Sequence, residues 1–389
     1  MGMTFQFATA GRIVFGAKSS RALPEKAKEF GRRIFLITGK NPQRFQWLKE
    51  ALKAAGLNVQ IFSMVHEPDI PSVQQAVLLA RQFRPDLVIA MGGGSVLDTG
   101  KIVSAMITNR KDLMAYLEVI GEGKPIREKP VPCLAVPTTA GTGTEVTKNA
   151  VVASPEHRVK VSMRHPWMIP DLAIIDPELT CSMPPEITAS TGLDALTQLI
   201  EPYVTHQHNP LTDAVCREGL RHAARSLRSA FKNGEDAEAR EDMAIASLFG
   251  GLALANAKLG AVHGIAGPMG GMFQIPHGIL CARLLPPVMA ANIRSLHQKK
   301  SESGLLQRFH ELGQLLNEDG HANADDALTW IQAVCDDMQV PPLSRFDVDP
   351  GLFPELIQKS MRSSSMQGNP VSLNQKELMQ IIEKAVYER

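Results

Sequence analysis

Two stretches of this chain concentrate the groups that bind phosphate. Gly92-Gly93-Gly94-Ser95 follows an apolar run and opens a helical pattern that contains Asp98 and Lys101. Glycines there let a backbone approach a pyrophosphate, and the free N–H groups of a helix start supply donors at a positive dipole end. The same residues also suit a strand-to-helix turn with no ligand, and they are not the six-residue dinucleotide fingerprint. A second stretch, Pro137-Thr138-Thr139-Ala140-Gly141-Thr142-Gly143-Thr144-Glu145, gathers hydroxyls and glycines after another apolar run. Alone it reads equally as a hydroxyl-rich turn. Two polar loops at the carboxyl ends of strands in one sheet form a shared crevice, where open α/β sheets bind their ligands.

A different set of residues lies further on. Asp194 and Gln198 are four apart, so a helix puts both on one face. His263 and His277 each precede a glycine. Read by themselves, Asp194 marks a helix start through Thr191-x-x-Asp194, and the two histidines are core residues beside glycines. His206-x-His208 has a metal-pair spacing but falls beside Asn209-Pro210 in an interhelical loop, and no role is assigned to it. The cysteines, Cys133, Cys181, Cys216, Cys281 and Cys335, are scattered and show no metal or redox spacing, which makes each a small buried hydrophobe in a reducing compartment.

The elements that must carry these residues divide the chain. Over its first half, short β-branched runs alternate with helical patterns, the signature of βαβ units and a parallel sheet. Strands are expected over 34–38, 58–62, 86–91, 133–136 and 172–175, with helices over 46–55 and from Pro71 to about Phe83. Residues 150–163 alternate as a hairpin does, with a turn at 154–157. Beyond Pro177 the β pattern fades into long helical periodicities, among them 212–231 and 235–254. Pro184 and Pro185 interrupt the pattern, so the boundary is placed there, giving an α/β domain over 1–185 and a helical domain over 186–389.

Bulk numbers agree with two soluble domains. A chain of 389 residues exceeds what one hydrophobic core organises, and 44% hydrophobic with 21% charged residues is an ordinary globular composition. Lysine plus arginine total 41 against 40 aspartate plus glutamate, which removes the electrostatic case for nucleic acid or an anionic membrane as partner. The start, Met1-Gly2-Met3-Thr4-Phe5-Gln6-Phe7, does not read as a leader, and no segment approaches an apolar span of about 20 residues. A cytoplasmic location is the expectation.

Taken together, GGGSVLDTGK, PTTAGTGTEVTKNAVV, IPDLAIIDPELT, GLDALTQLIEPY and IPHG give the chain a resemblance to the iron-containing, or group III, alcohol dehydrogenases over residues 5–385. The resemblance implies a dehydroquinate synthase-like fold, with an N-terminal α/β dinucleotide-binding domain, an all-helical C-terminal domain and the cleft between them. It implies an NAD(P)-dependent alcohol dehydrogenase or aldehyde reductase assembled as a homodimer or larger homo-oligomer. By the same resemblance Gly92, Gly93, Gly94, Ser95 and Asp98 hold the pyrophosphate and ribose, Thr138, Thr139 and Thr142 line the adenosine side, and Lys160 reaches the nicotinamide ribose. NAD-preferring members carry an aspartate after the first of these strands; this chain has Gly39, with Lys40 and Arg44 nearby, which argues for NADP tolerance unless those cations are plain surface charges.

The family holds a divalent metal, Fe²⁺ ahead of Zn²⁺, with one aspartate and three histidines. The matching positions here are Asp194, Gln198, His263 and His277, of which His263 and His277 are also the expected catalytic residues. Gln198 is a departure, because an amide ligates only through its carbonyl oxygen, a weaker donor than imidazole. Gly267 is another, standing where the family commonly has a histidine, and it enlarges the substrate pocket or alters proton delivery. Two alternatives follow: a cofactor-binding homologue with a weakened or lost metal site, and a lyase of the dehydroquinate synthase type.

Overall fold

The computed structural model describes residues 4–299 and 304–387, so the first three residues of the N-terminal stretch read above lie outside it. The chain separates into two compact units: 9–139 with 143–181, and 182–387 joined by 4–8 and Ala140–Thr142.

The first unit is built on one parallel sheet. Its strands are β1 (Arg12–Phe15), β2 (Arg33–Thr38), β3 (Asn58–Ser63), β4 (Leu87–Gly92) and β5 (Cys133–Pro137), then a hairpin of β6 (Asn149–Ser154) and β7 (Val159–Arg164), then β8 (Leu172–Ile175). The sheet order is β1-β8-β5-β4-β2-β3, with β6 and β7 forming a separate antiparallel pair. Strands buried on both faces read as continuous apolar runs, and every residue of β4 and β5 is buried. One face packs on the helices Ile70–Phe83 and Gly94–Thr108 through Phe35, Val88, Ala90 and Ile102; the other buries Leu36, Ile89, Leu134 and Leu48. The hairpin turn occupies 155–158, one residue later than the pattern placed it, with Arg158 at φ 48°.

Strand register places the two polar loops side by side. Gly92 pairs with Pro137 at the ends of β4 and β5, and the Thr138 N–H donates to the Gly92 carbonyl at 2.9 Å. Gly92 must be bare, because a Cβ there would meet Val96 Cγ2 at 2.5 Å, and Gly100 lets the helix lie against β4, where a Cβ would meet that of Ala90 at 2.5 Å.

The second unit is helical among its described residues, around a core that includes Leu193, Leu196, Leu199, Val262, Ile265, Leu280 and Leu284. The helix His277–Gln298 is long and apolar enough to cross a membrane by length and composition, which corrects the expectation that no segment approaches that length; with 61% of its window buried inside the protein, it is the core helix of this unit.

Asp242 ties the helices Pro210–Lys232 and Ala237–Asn256 together. Its carboxylate accepts from His222 Nδ1 at 2.7 Å, from Arg225 Nε and Nη2 at 2.8 Å each, and from the Ser226 hydroxyl. Burial alone would raise its pKa, but these hydrogen bonds overcome that and hold the carboxyl at about 2. A folded-state pKa below the unfolded one means stability that is full above pH 4 or so and is lost as pH falls towards about 2. Because Arg225 is half exposed, the contribution is discounted to about 1–2 kcal/mol. Asp242→Asn should therefore lower the stability of the helical unit by about that amount at pH 7, measured by urea unfolding, and its deficit should shrink as pH falls below about 4.

Candidate active site

The helix Pro185–Val204 runs through the core, with every residue from Gly192 to Val204 buried. Asp194, Gln198 and Glu201 sit at i, i+4 and i+7 on one of its faces, at 3%, 3% and 1% exposure. Three polar side chains in such surroundings cost stability unless each finds a partner. Glu201 finds three: Oε1 accepts from the Val262 N–H at 2.7 Å, and Oε2 accepts from the His263 backbone N–H at 3.4 Å and from His263 Nδ1–H at 2.6 Å. Gly260 makes room for this, since a Cβ there would meet Glu201 Oε1 at 2.7 Å.

The Glu201 bond fixes the His263 ring and points Nε2 away from Glu201. That nitrogen lies 3.4 Å from Asp194 Oδ1, and His277 Nε2 lies 3.7 Å from the same oxygen. The two imidazole centroids are 5.3 Å apart. His277 opens the helix His277–Lys299. Gly278 allows that start to press on the Asp194 helix, because a Cβ there would fall 2.1 Å from the Ser190 carbonyl oxygen. Asp194, His263 and His277, far apart in sequence, are thus one cluster, with Cys281 as a fourth group whose sulfur lies within 4.8 Å of the others' ligand atoms.

The donor set fits a cation. Asp194 Oδ1 and Gln198 Oε1 are buried acceptors with no hydrogen-bond partner among the described residues. Burial opposes ionisation of Asp194, yet His277 and His263, with the Gln198 amide, keep its carboxyl below the usual value. A negative carboxylate oxygen facing two imidazole nitrogens, with an orphaned amide oxygen on the same helix face, is what a divalent ion would satisfy. Gly267, on the helix Ala261–Phe273, has nothing within 4 Å of a Cβ built on it, so the space a longer side chain would take is open.

In the α/β unit the nucleotide residues divide into two groups. Gly93, Gly94 and Ser95 are half-buried at the start of the helix Gly94–Thr108, Gly92 and Thr138 are buried, and Thr139 is half-buried, its methyl 3.3 Å from the Cβ position of Gly93. Thr142 belongs instead with the helical unit. Asp98 is already occupied: its carboxylate accepts from the Thr144 hydroxyl at 2.5 Å and the Val151 N–H at 3.0 Å, and pairs with Lys101 at 3.2 Å. Lys160 pairs with Glu67 at 2.6 Å. After β2, Gly39 is half-buried and Lys40 exposed, whereas Arg44 donates to the Leu179 carbonyl at 2.5 Å and lies over the Phe45 ring. Glu201 is the group at this cluster that sequence reasoning did not name, its one available signal being the i+7 spacing from Asp194, while Cys281 was read as a small buried hydrophobe and Lys101 as part of the helix after the glycine loop.

A parallel sheet ending in a glycine turn beside a hydroxyl-rich loop, with a carboxylate and two imidazoles gathered in a helical unit, defines a dehydrogenase of the dehydroquinate synthase-like fold. The chain matches the iron-containing alcohol dehydrogenase family over residues 10–177 and the C-terminal domain of that family over 188–386, and it belongs to that family. It is 41% identical to long-chain-alcohol dehydrogenase 1 of Geobacillus thermodenitrificans over 72% of this chain and 73% of that one. To the 1,3-propanediol dehydrogenase of Citrobacter freundii it is 32% identical over 95% and 96%. Among solved structures, a 1,3-propanediol oxidoreductase superposes with a TM-score of 0.90 at 30% identity, covering 98% of this chain and 100% of that one. Sulfoacetaldehyde reductase from Bifidobacterium kashiwanohense, in complex with NAD+, does so at 0.88 and 27% identity, covering 100% of both.

Proposed function

We propose that this alcohol dehydrogenase reduces small aldehydes with NADPH or NADH and holds Fe²⁺ or Zn²⁺ with Asp194, His263 and His277, Gln198 lying beside them. When bound, the nicotinamide exchanges hydride with the carbonyl carbon and the metal polarises the carbonyl oxygen. The residues of the chain provide the rest. Glu201 accepts from His263 Nδ1 and so holds the ring with Nε2 facing Asp194. The N–H groups at the start of the helix Gly94–Thr108 receive the pyrophosphate. Thr138, Thr139 and Thr142 supply short hydroxyls to the adenosine side, and Lys160 the nicotinamide ribose. We also propose that the protein works as a homo-oligomer in the cytoplasm.

The observation that carries this reading is the convergence of Asp194, His263 and His277 beside two buried acceptor atoms with no partner. Those two orphaned oxygens also weigh against a homologue that has discarded its metal. The coenzyme preference rests on Gly39, where a 2′-phosphate meets no carboxylate and Lys40 is exposed nearby. With only Val96 Cγ2, at 3.9 Å, near a Cβ built at Gly39, an aspartate fits there.

The test is a panel of short aldehydes assayed with NADPH and NADH, with the metal stripped and then restored. Stripping should abolish turnover, restoring Fe²⁺ or Zn²⁺ should return it, and oxidised coenzyme should accumulate one for one with alcohol. In the Gly39→Asp variant the NADPH to NADH ratio of kcat/KM should fall by about 100-fold through repulsion of the 2′-phosphate. A product formed with no net coenzyme oxidation would replace the dehydrogenase with a lyase, and an unchanged ratio would remove the role given to Gly39.

A further inference from the structure

We propose that Cys281 is a metal ligand, completing with Asp194, His263 and His277 a four-donor site that favours Zn²⁺ over Fe²⁺. This rests on the reading that a metal is held here and extends its donor list.

Cys281 lies one turn after His277 on the same helix, so both side chains share a face. Its sulfur is 3.5 Å from His277 Nε2 and 3.9 Å from His263 Nε2. In a tetrahedral site with zinc–sulfur bonds of about 2.3 Å and zinc–nitrogen or zinc–oxygen bonds of about 2.0–2.1 Å, neighbouring donors stand about 3.3–3.6 Å apart. The four measured edges, sulfur to each imidazole and Asp194 Oδ1 to each imidazole, run from 3.4 to 3.9 Å, and all the donor atoms lie within 4.8 Å of one another. Closing on an ion needs shifts of only a few tenths of an ångström along these edges.

A cysteine placed only to fill the core would look different. Cys335, equally buried, donates to the Ala282 carbonyl at 3.4 Å. Cys281, fully buried in the same apolar unit, instead turns its sulfur towards two imidazole nitrogens and a carboxylate. The sequence departure gives this a purpose. Where the family has a third imidazole this chain has Gln198, whose amide bears on Asp194. A donor set short of one imidazole gains a thiolate, which binds as S⁻ with its proton released to solvent. Thiolate softness selects zinc over iron, and two anionic donors neutralise the charge of a divalent ion in a buried site.

The experiment uses the full-length protein, stripped of metal and loaded with Co²⁺. Wild type should show a thiolate-to-cobalt charge-transfer band in the near ultraviolet beside the visible d–d bands. Cys281→Ala should keep the d–d bands and lose the charge-transfer band. Its Zn²⁺ affinity, measured by competition with a chromophoric chelator, should fall about tenfold or more, with a smaller loss for Fe²⁺. Visible bands without the near-ultraviolet band in wild type, or a near-ultraviolet band that survives Cys281→Ala, would overturn the cysteine ligand and leave the aspartate–histidine site standing. No Co²⁺ uptake at all would overturn both. Because the wild-type spectrum decides the first point, the result does not depend on the variant folding.

Discussion

Replacing His263 by alanine should lower kcat/KM for aldehyde reduction by at least about 10³-fold, since losing a Lewis-acid site removes several kcal/mol of transition-state stabilisation. The loss is large because one side chain serves twice. Nε2 is a donor to the cluster with Asp194 and His277, and Nδ1–H is the strongest partner of Glu201. Alanine would remove the donor and leave a carboxylate at 1% exposure with only the backbone N–H groups of residues 262 and 263. Coenzyme binding should survive, because Gly92 to Ser95, Thr138 and Thr139 belong to the α/β unit. Steady-state kinetics and a fluorescence titration with NADPH check both halves. Turnover within tenfold of wild type would detach His263 from the chemistry.

The legible parts of the fold were those where burial leaves a compositional trace. β2, β4, β5 and β8 are apolar runs buried along most of their length, and each lies within a residue of where the sequence pattern put it. The β6–β7 hairpin shows because its residues alternate between the two sides. β1 left no comparable trace: it has four residues, none fully buried, and exists through its pairing with β8 about 160 positions away. The long helices were visible from periodicity, but which faces meet was not. Glu201 meets His263, and Cys281 meets His263, only when the helices Pro185–Val204, Ala261–Phe273 and His277–Lys299 come together, and no local pattern encodes that meeting.

The same physics explains the residues whose partners differ from those the sequence suggested. Asp98 and Lys101 lie one turn apart beside a glycine loop, a spacing that reads as ligand binding when the chain is taken one segment at a time. What the spacing does not carry is the arrival of residues 144–151 over that helix, whose hydroxyl, N–H and carbonyl groups absorb both charges. Arg44 is similarly taken up by the Leu179 carbonyl, so the case for a 2′-phosphate rests on the bare Gly39 and on Lys40.

Lys101→Met should destabilise the α/β unit by about 3 kcal/mol, because it breaks a buried ion pair while keeping most of the aliphatic stem. The Lys101 side chain is fully buried, and its ammonium donates to the Thr144 carbonyl at 2.9 Å, to the Thr144 and Thr147 hydroxyls, and to the Asn149 carbonyl, with Asp98 Oδ1 at 3.2 Å. Methionine offers none of these donors, so two carbonyl oxygens and a carboxylate lose their cation. The lower end of the usual range applies because Asp98 retains the Thr144 hydroxyl and the Val151 N–H. Urea unfolding read through Trp47 and Trp167, both in this unit, measures the loss. If pair and network act as one device, Asp98→Asn combined with Lys101→Met should cost less than the sum of the two single changes. Additive effects, or a loss below about 1 kcal/mol, would mean that the glycine turn is held by strand register alone and that the buried charges serve the nucleotide directly.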